Sequence, residues 1–353
     1  MMVIGVDPHK STHTATAVDP VTNTDVGSLR IEATLAHYRR LLVWAKQWPR
    51  RQWAIENAEG LGHHLAQWLS ARGEVVLDVP TTATARVREL SRGARRKNDR
   101  IDAAGAACIA AAQGDARLVV PEGHVDALAL LDERRNNLTQ NRTRAVNQLH
   151  RLLRELLAGG APTSLTAAKA AAVVRGLRPR STCERVRLQL CRDLISDIRR
   201  LDAQLVDNEA EITALLDEHG TGLRQIDGVG PVLAARVLGR TRHASRFATP
   251  AAYATYNGTA LVEVASAEHQ CYRLNRYGDR QLNSAIHTIA MVQVRMPTSA
   301  GRRYYDRKIT DGKTPRAANR SLKRHVFNQL WRTMVADGNH HRDKPDDESP
   351  TVA

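Results

Sequence analysis

The sequence predicts an α/β domain at the N-terminus followed by a largely helical remainder, and three observations carry that prediction. Residues 1–80 alternate short apolar runs and amphipathic stretches in the order strand, strand, strand, helix, strand, helix, strand. From about residue 125 onward, apolar residues recur instead at three- and four-residue steps. At 353 residues, and with about 150 residues per domain, the chain has room for two or three units with real cores.

Residues 2–7 (MVIGVD) read as a short buried strand and 12–18 (THTATAV) as a second, with PHKS between them compatible with a hairpin turn. A third strand around 25–32 completes a meander. An amphipathic helix over about 34–48 follows, with Leu35, Tyr38, Leu41, Leu42 and Ala45 on one stripe. QWAIE (52–56) is a strand ending in a glutamate, GLGHHLAQWLSARG a helix ended by Gly73, and EVVLDVP a strand stopped by Pro80. A helix over 81–91, the basic loop SRGARRKN and an Ala-rich helix from Asp99 to about Gln113 close the block. This order is that of a mixed sheet and fits the ribonuclease-H-like superfold. A doubly wound nucleotide-binding sheet is the alternative, weakened because no GxGxxG follows the first strand.

Pro121 and Gly123 mark a boundary. Helical periodicity then runs over 125–158, through Leu128, Leu138, Leu149 and Leu153, and over 181–218, through Val186, Ile198, Leu205 and Ile212. A short helix near 165–176 lies between. Two long helices separated by a break suggest an antiparallel helical arm or a dimerising coiled coil. The expected division is therefore an α/β domain over 1–115, a helical dimerisation region over 116–219, a mainly α domain over 220–335 and a disordered tail over 336–353.

Charge narrows the partner. Against 52 Lys and Arg stand 37 Asp and Glu, a formal net charge of +15, which points to a polyanion such as nucleic acid or, less often, a membrane surface. Residues 270–332 hold 14 Lys/Arg and three Asp/Glu, and residues 84–100 hold seven against two, so the basicity sits in two places. With only two Phe, platforms for stacking single-stranded bases are poorly supplied. Cys108, Cys183, Cys191 and Cys271 form no CxxC and no finger spacing, which argues against a disulfide framework or a structural zinc. No apolar run is long enough for a membrane span and the start lacks a signal-peptide pattern, so a reducing cytoplasm is the expected compartment.

Chemistry is expected where carboxylates converge. Asp7 ends the first strand and Glu56 the fourth, and Asp99 and Asp102 share one face in the first turn of a helix. Neighbouring first and fourth strands, with the last helix packed on them, would gather all four at one rim. Like charges there repel unless a cation holds them, and two divalent ions can stabilise the attacking and leaving oxygens of a phosphodiester. An Asp capping a helix and a solvated Glu after a strand are the bland alternatives. Glu59 and Asp78 fit the same pattern and stay open. Arg92, Arg95, Arg96, Lys97 and Arg100 flank the last pair of acids and are candidate nucleic-acid contacts.

IDGVGPVLAARVLG resembles a helix-hairpin-helix element, with Gly228 and Gly230 at the turn letting backbone N–H groups approach a phosphate, and Ala234–Ala235 in close helix packing. A plain tight turn is the alternative. Further on, Ser266 sits in a small-residue stretch expected to be irregular, before Arg273, Arg276 and Arg280. A serine hydroxyl can attack phosphorus if a base or metal takes its proton and cations offset the developing charge. Tyr272, Tyr277, Tyr304 and Tyr305 are rival nucleophiles. The pairs His63–His64 and His340–His341 have no metal-ligand companion at useful spacing and read as incidental.

Taken together, IGVDPHK, AIENAEGLG, KNDRIDAAGAA, IDGVGP, FATPAAYATYNGTALVEVASAEHQ and RLNRYGDRQLN resemble the insertion-sequence transposases of the IS110 family over about residues 1–335. The resemblance implies a RuvC-like DEDD domain whose acids are Asp7, Glu56, Asp99 and Asp102, holding a divalent metal, Mg²⁺. It implies a serine nucleophile at Ser266 that links covalently to DNA during strand exchange. It further implies a structured bridge RNA pairing with target and donor DNA, dimers that assemble to tetramers, and bacterial, nucleoid-associated action. Where the family often carries Ser-Ser-Gly, this chain has Ala265-Ser266-Ala267. Two other readings remain: a RuvC-like endonuclease using activated water, and a non-catalytic nucleic-acid-binding protein.

Overall fold

The computed structural model describes residues 1–84, 98–112, 116–266, 269–274 and 278–343, with side chains outside 261–277 and 340–343. The chain divides into two compact units, Met1–Glu122 and Gly123–Ala353.

The first unit is built on a six-stranded sheet. Its strands are β1 (Met2–Pro8), β2 (Thr12–Asp19), β3 (Thr24–Glu32), β4 (Arg51–Glu56), β5 (Val76–Val79) and β6 (Arg117–Leu118), in the order β3-β2-β1-β4-β5-β6. β1 is antiparallel to β2 and parallel to β4, so the expected neighbours are neighbours. β6, an antiparallel edge to β5, is too short to have been legible in the sequence. The helices are α1 (Leu35–Ala45), α2 (His63–Ser70) and α3 (Asp99–Ala112).

Strand alternation decides which residues meet which layer. Ile4 and Val6 of β1 and Trp53 and Ile55 of β4 pack with Tyr38 and Leu41 of α1 and Leu65 and Leu69 of α2. Val3 and Ala54 instead join Ala106, Ala107, Ile109 and Ala110 of α3 on the opposite face. Asp7 lies two and four residues beyond Gly5 and Val3, and Glu56 two beyond Ala54, so both carboxylates stand on the α3 face. The expected helix over 81–91 lies largely outside the described residues.

The second unit opens with a helical hairpin, α4 (His124–Leu156) and α6 (Thr182–His219), with α5 (Ala167–Gly176) between them. Arg135 pairs with Glu209 at 2.9 Å, Arg142 with Asp202, and Arg187 with Glu155 at 2.7 Å. Pairing of early residues with late ones makes the two long helices antiparallel within one chain. Leu149, Leu153, Cys191, Ile195 and Ile198 fill one end of the hairpin. The other end, with Leu128, Ile212 and Leu216, joins a second core formed with the helices that follow.

Those helices are α7 (Pro231–Thr241), α8 (Pro250–Tyr256), α9 (Arg280–Arg295), α10 (Ala300–Thr310) and α11 (Pro315–Asp343). α7 lies close on α4, since a Cβ at Gly239 would stand 2.7 Å from the Ala129 Cα. The expected Ala234 and Ala235 are fully buried as well. Deep in this contact Asp132, 3% exposed, accepts two bonds from the Arg236 Nε at 3.0 and 3.2 Å, while the Arg236 Nη2 donates to Asn136 Oδ1 at 2.7 Å.

One expectation is corrected here. The stretch holding Ser266 is regular: β7 (Leu261–Ser266) and β8 (His269–Leu274) form an antiparallel hairpin in which Ser266 pairs with His269. The alternating, β-branched run LVEVA suits a strand, and its partner lies only two residues away. α11 runs on to Asp343, and within it Asp337 Oδ2 accepts from the Thr221 Oγ1 at 2.8 Å and from the Gly222 amide at 3.2 Å. That side chain anchors the helix against the turn that follows α6; residues 344–353 lie outside the described ones.

Candidate active site

α3 sits where it does because Gly5 has no side chain. A Cβ at Gly5 would stand 2.8 Å from the Ala103 carbonyl carbon and from the Ala107 amide nitrogen, so the helix backbone rests on β1. The alanines at 103, 106, 107 and 110 keep the helix face flat enough for this approach. Thr16 on β2 ties the start of the helix down, its Oγ1 donating to the Arg100 carbonyl at 3.1 Å. Asn98 Oδ1 accepts the Arg100 amide at 3.0 Å, a cap that frees Asp99 and Asp102 from that duty.

The first turn of α3 thereby carries Asp99 and Asp102 to the end of β1. Asp7 and Asp102 are each 7% exposed. Burial raises the Asp7 carboxyl, the nearby His9 opposes that, and Glu56, Asp102 and Asp99 raise it further, to about 6. One carboxylate thus feels the other three, which is the convergence expected from the sequence. Glu56 Oε1 accepts from the buried Thr84 Oγ1 at 2.5 Å, which fixes its side chain.

A residue without any sequence signal of its own stands among them. His9, in the turn after β1, places its Nε2 3.6 Å from Asp7 Oδ2 and 3.4 Å from Asp99 Oδ1. One ligand atom from each of Asp7, His9 and Asp99 lies within 4.8 Å of the others. Only its place in the chain could have marked it: β1 delivers Asp7, and a residue two further on in a tight turn stays at the same rim. The donor set is mainly carboxylate oxygen on a half-buried floor, which fits a hard divalent cation.

The two open acids separate from this group. Asp78 Oδ1 accepts the Ala58 amide at 2.8 Å, and Glu59 pairs with Arg117 at 2.7 Å. Arg100 forms an ion pair with Asp25 of β3 at 2.5 Å, with its guanidinium still half exposed. Arg92, Arg95, Arg96 and Lys97 lie outside the described residues.

In the second unit, Gly228 takes φ +79° and its Cα faces α9, where a Cβ would meet Val292 Cγ1 at 3.1 Å and the Ile289 carbonyl oxygen at 3.2 Å. It is needed both for the turn and for helix packing. Gly230 is the N-cap of α7, exposed, with open space where a Cβ would lie. The β7–β8 hairpin that carries Ser266 springs from a tight root, where a Cβ at Gly278 would collide with the backbone of Gly258. Asp279 caps α9 and pairs with Arg240, and Arg280 is the exposed first residue of that helix. The Ser266 and Arg273 side chains and all of Arg276 lie outside what is described; along the backbone Arg273 pairs with Val262.

The basic stretch after residue 300 forms a surface that the sequence located only as a count. Tyr304 of α10 stacks on His325 of α11, ring centroids 4.7 Å apart and 14° from parallel. Burial, then Arg307 and Arg332, holds His325 below its ordinary value. Two arginines from different helices therefore flank one aromatic stack, and among the described residues neither forms an ion pair. Asp306 and Asp311 are engaged by Arg302 and Lys308. No helix of the described residues is long and apolar enough to cross a membrane.

The α/β sheet with four acids at one rim lies within residues 4–157, which match the DEDD transposase family model of the IS110 type. Residues 221–306 match a second model, described as the transposase IS116/IS110/IS902 family. The chain belongs to this family of insertion-element transposases.

One relative spans it nearly end to end. The insertion element IS116 uncharacterized 44.8 kDa protein of Streptomyces clavuligerus is 26% identical over 385 aligned residues, covering 95% of this chain and 94% of the relative. The putative transposase y4pF/y4sB of Sinorhizobium fredii is 26% identical, covering 84% and 76%. The insertion element IS900 uncharacterized 42 kDa protein of Mycobacterium paratuberculosis is 32% identical over 41% of this chain and 37% of its own length. Among solved structures, T. thermophilus RuvC in complex with a Holliday junction substrate is similar to 34% of this chain and covers 99% of its own, at 13% identity and TM-score 0.27.

Proposed function

We propose that this transposase cuts and exchanges DNA strands by phosphodiester transfer, with the Asp7, Glu56, Asp99 and Asp102 carboxylates at one half-site and Ser266 at the other. The observation that carries the reading is the meeting of those four acids at the ends of β1 and β4, under the first turn of α3, in a chain of this family.

The four carboxylates would hold Mg²⁺, which when bound offers positive charge to the non-bridging and leaving oxygens of the scissile phosphate. Asp7 and Asp102, both buried, form the fixed floor; Asp99 lies nearer the rim. Thr84 keeps Glu56 from swinging out. In the transfer step the Ser266 Oγ attacks phosphorus and gives up its proton, an O–P bond forms, the P–O bond to one DNA fragment breaks, and that fragment takes up the proton and leaves as a hydroxyl. Arg273, Arg276 and Arg280 offset the charge that develops on the phosphoryl oxygens. Gly228 and Gly230 at the start of α7, with the loop cations Arg92, Arg95, Arg96, Lys97 and Arg100, grip nucleic-acid backbone. Sequence choice by a structured guide RNA would suit a protein that holds backbones more than bases, and a dimer assembling to a tetramer would bring both half-sites to one phosphate.

The test is trapping on suicide DNA, a substrate whose cut strand diffuses away. Wild-type protein is expected to become covalently linked to DNA and Ser266→Ala to lose the link. An adduct that survives Ser266→Ala overturns the serine assignment. Cleavage that survives Ser266→Ala yet vanishes in Asp7→Asn marks a water-using endonuclease instead.

A further inference from the structure

We infer that His9 is a nitrogen ligand of the metal centre, so that the site is a mixed carboxylate–imidazole centre with a preference for Mn²⁺ over Mg²⁺. The inference rests on the proposal that a divalent cation binds at Asp7, and adds to it which further atom binds and which ion fits.

Distance carries the first part. His9 Nε2 faces Asp7 Oδ2 at 3.6 Å and Asp99 Oδ1 at 3.4 Å. A charge-assisted hydrogen bond from an imidazolium would bring a carboxylate oxygen to about 2.7–2.9 Å, so neither contact is one. Donor atoms bound to a common ion by bonds of about 2.1 Å lie roughly 3.0–3.4 Å apart at right-angled to tetrahedral geometry. The separation to Asp99 lies at the upper edge of that spacing and the one to Asp7 0.2 Å beyond it, within reach of a small side-chain adjustment, and the ring nitrogen presents itself to both oxygens at once.

Backbone geometry carries the second part. β1 ends at Pro8, whose register partner is His13, and the His9 amide donates to the Thr12 carbonyl at 2.8 Å. The turn that reverses the chain into β2 therefore fixes the His9 backbone two residues from Asp7. Its side chain is 40% exposed, open enough for an ion and its waters to enter.

Ligand chemistry carries the third. An all-oxygen set suits Mg²⁺, whereas an imidazole ligand moves affinity along the transition-metal series, where nitrogen bonds are stronger. Of the two ions compared, Mn²⁺ shares the carboxylate preference of Mg²⁺ and, as the first member of that series, gains from an imidazole nitrogen where Mg²⁺ does not.

The experiment uses full-length protein and Mn²⁺, followed by electron paramagnetic resonance. Titration reads affinity from the free-ion signal, and electron spin-echo modulation reads a directly bound nitrogen. Expected are a ¹⁴N modulation on bound Mn²⁺, its replacement by a ¹⁵N pattern in protein grown on ¹⁵N-histidine, and its loss in His9→Gln. The ratio of Mn²⁺ to Mg²⁺ affinity, the latter by competition, should fall about tenfold in that variant. The histidine label needs no variant, so a misfolded His9→Gln leaves the inference testable. Bound Mn²⁺ without nitrogen modulation, in protein whose Mn²⁺ affinity collapses on Asp7→Asn, overturns the His9 assignment and supports the carboxylate centre. If Mn²⁺ does not bind, or binds unchanged in Asp7→Asn, the carboxylate centre itself is overturned and His9 with it.

Discussion

Gly5 of β1 lies directly beneath Ala103 of α3, with the carbonyl of that alanine filling the space a side chain would take. Because the obstacle is helix backbone, Gly5→Ala cannot be absorbed by a rotamer change. The helix must lift, and it carries Asp99 and Asp102 away from Asp7 and Glu56. Overpacking of this kind costs about 1–3 kcal/mol. The expected outcome is a lower melting temperature together with weaker divalent-ion binding, measured by calorimetric titration. Retained ion affinity in a folded Gly5→Ala protein would show that this contact does not set the site.

Metal-free protein should lose stability as pH rises through the range where Asp7 titrates. In the fold this carboxyl is raised from 3.8 to about 6, chiefly by burial and then by its acidic neighbours. A raised value means that its contribution is fully present below about pH 4 and is lost as pH climbs through 6. A shift of that size corresponds to roughly 2–3 kcal/mol. Asp7→Asn removes the charge, so urea melts of the metal-free variant should show higher stability than wild type at about pH 7.5 and a flatter profile between about pH 4 and 6.5. Added divalent ion should stabilise wild type and leave Asp7→Asn unchanged.

Asp132 and Arg236 form a buried pair between α4 and α7, at 2.9 Å, with Asn136 Oδ1 also accepting from the guanidinium. Asp132→Ala leaves an arginine only 19% exposed without its counter-charge. A loss of about 3–5 kcal/mol is expected in chemical denaturation. A double change of Asp132 to Leu and Arg236 to Met should recover much of it, because a packed apolar pair needs no compensation.

Arg307 and Arg332 should act on nucleic acid through phosphate charge, without sequence preference. Changing both to Gln is expected to reduce the slope of log affinity against log salt by about 2, near one unit for each phosphate that is no longer neutralised, on duplex DNA and on structured RNA. An unchanged slope on both would remove this face from the binding surface.

Much of the molecule was legible in its sequence, for identifiable reasons. Period-2 and period-3.6 patterns located β1 to β5, α1 to α6 and the acids at strand ends, since burial on one face dictates those repeats. Asp7, Glu56, Asp99 and Asp102 could be named because each stands at the start or end of an element. His9 was hidden because a turn residue has no periodicity to mark it. The β7–β8 hairpin was missed because small residues around Ser266 suggest irregular chain unless the partner strand is known. Gly239 resembles any helical glycine until Ala129 is seen against it.

The sequence by itself determined β1 to β5, α1 to α6 and their order, located the two concentrations of positive charge and singled out the four candidate acids. Those are local properties, written in side-chain polarity and spacing. Only the tertiary structure decided that α3 rests on Gly5, that His9 joins Asp7 and Asp99, that Asp78 and Glu59 are engaged elsewhere, and that Arg307 and Arg332 converge on the Tyr304–His325 stack. Each of these depends on the approach of segments distant in the chain, and that approach is set by close packing between faces, which no single stretch of sequence encodes.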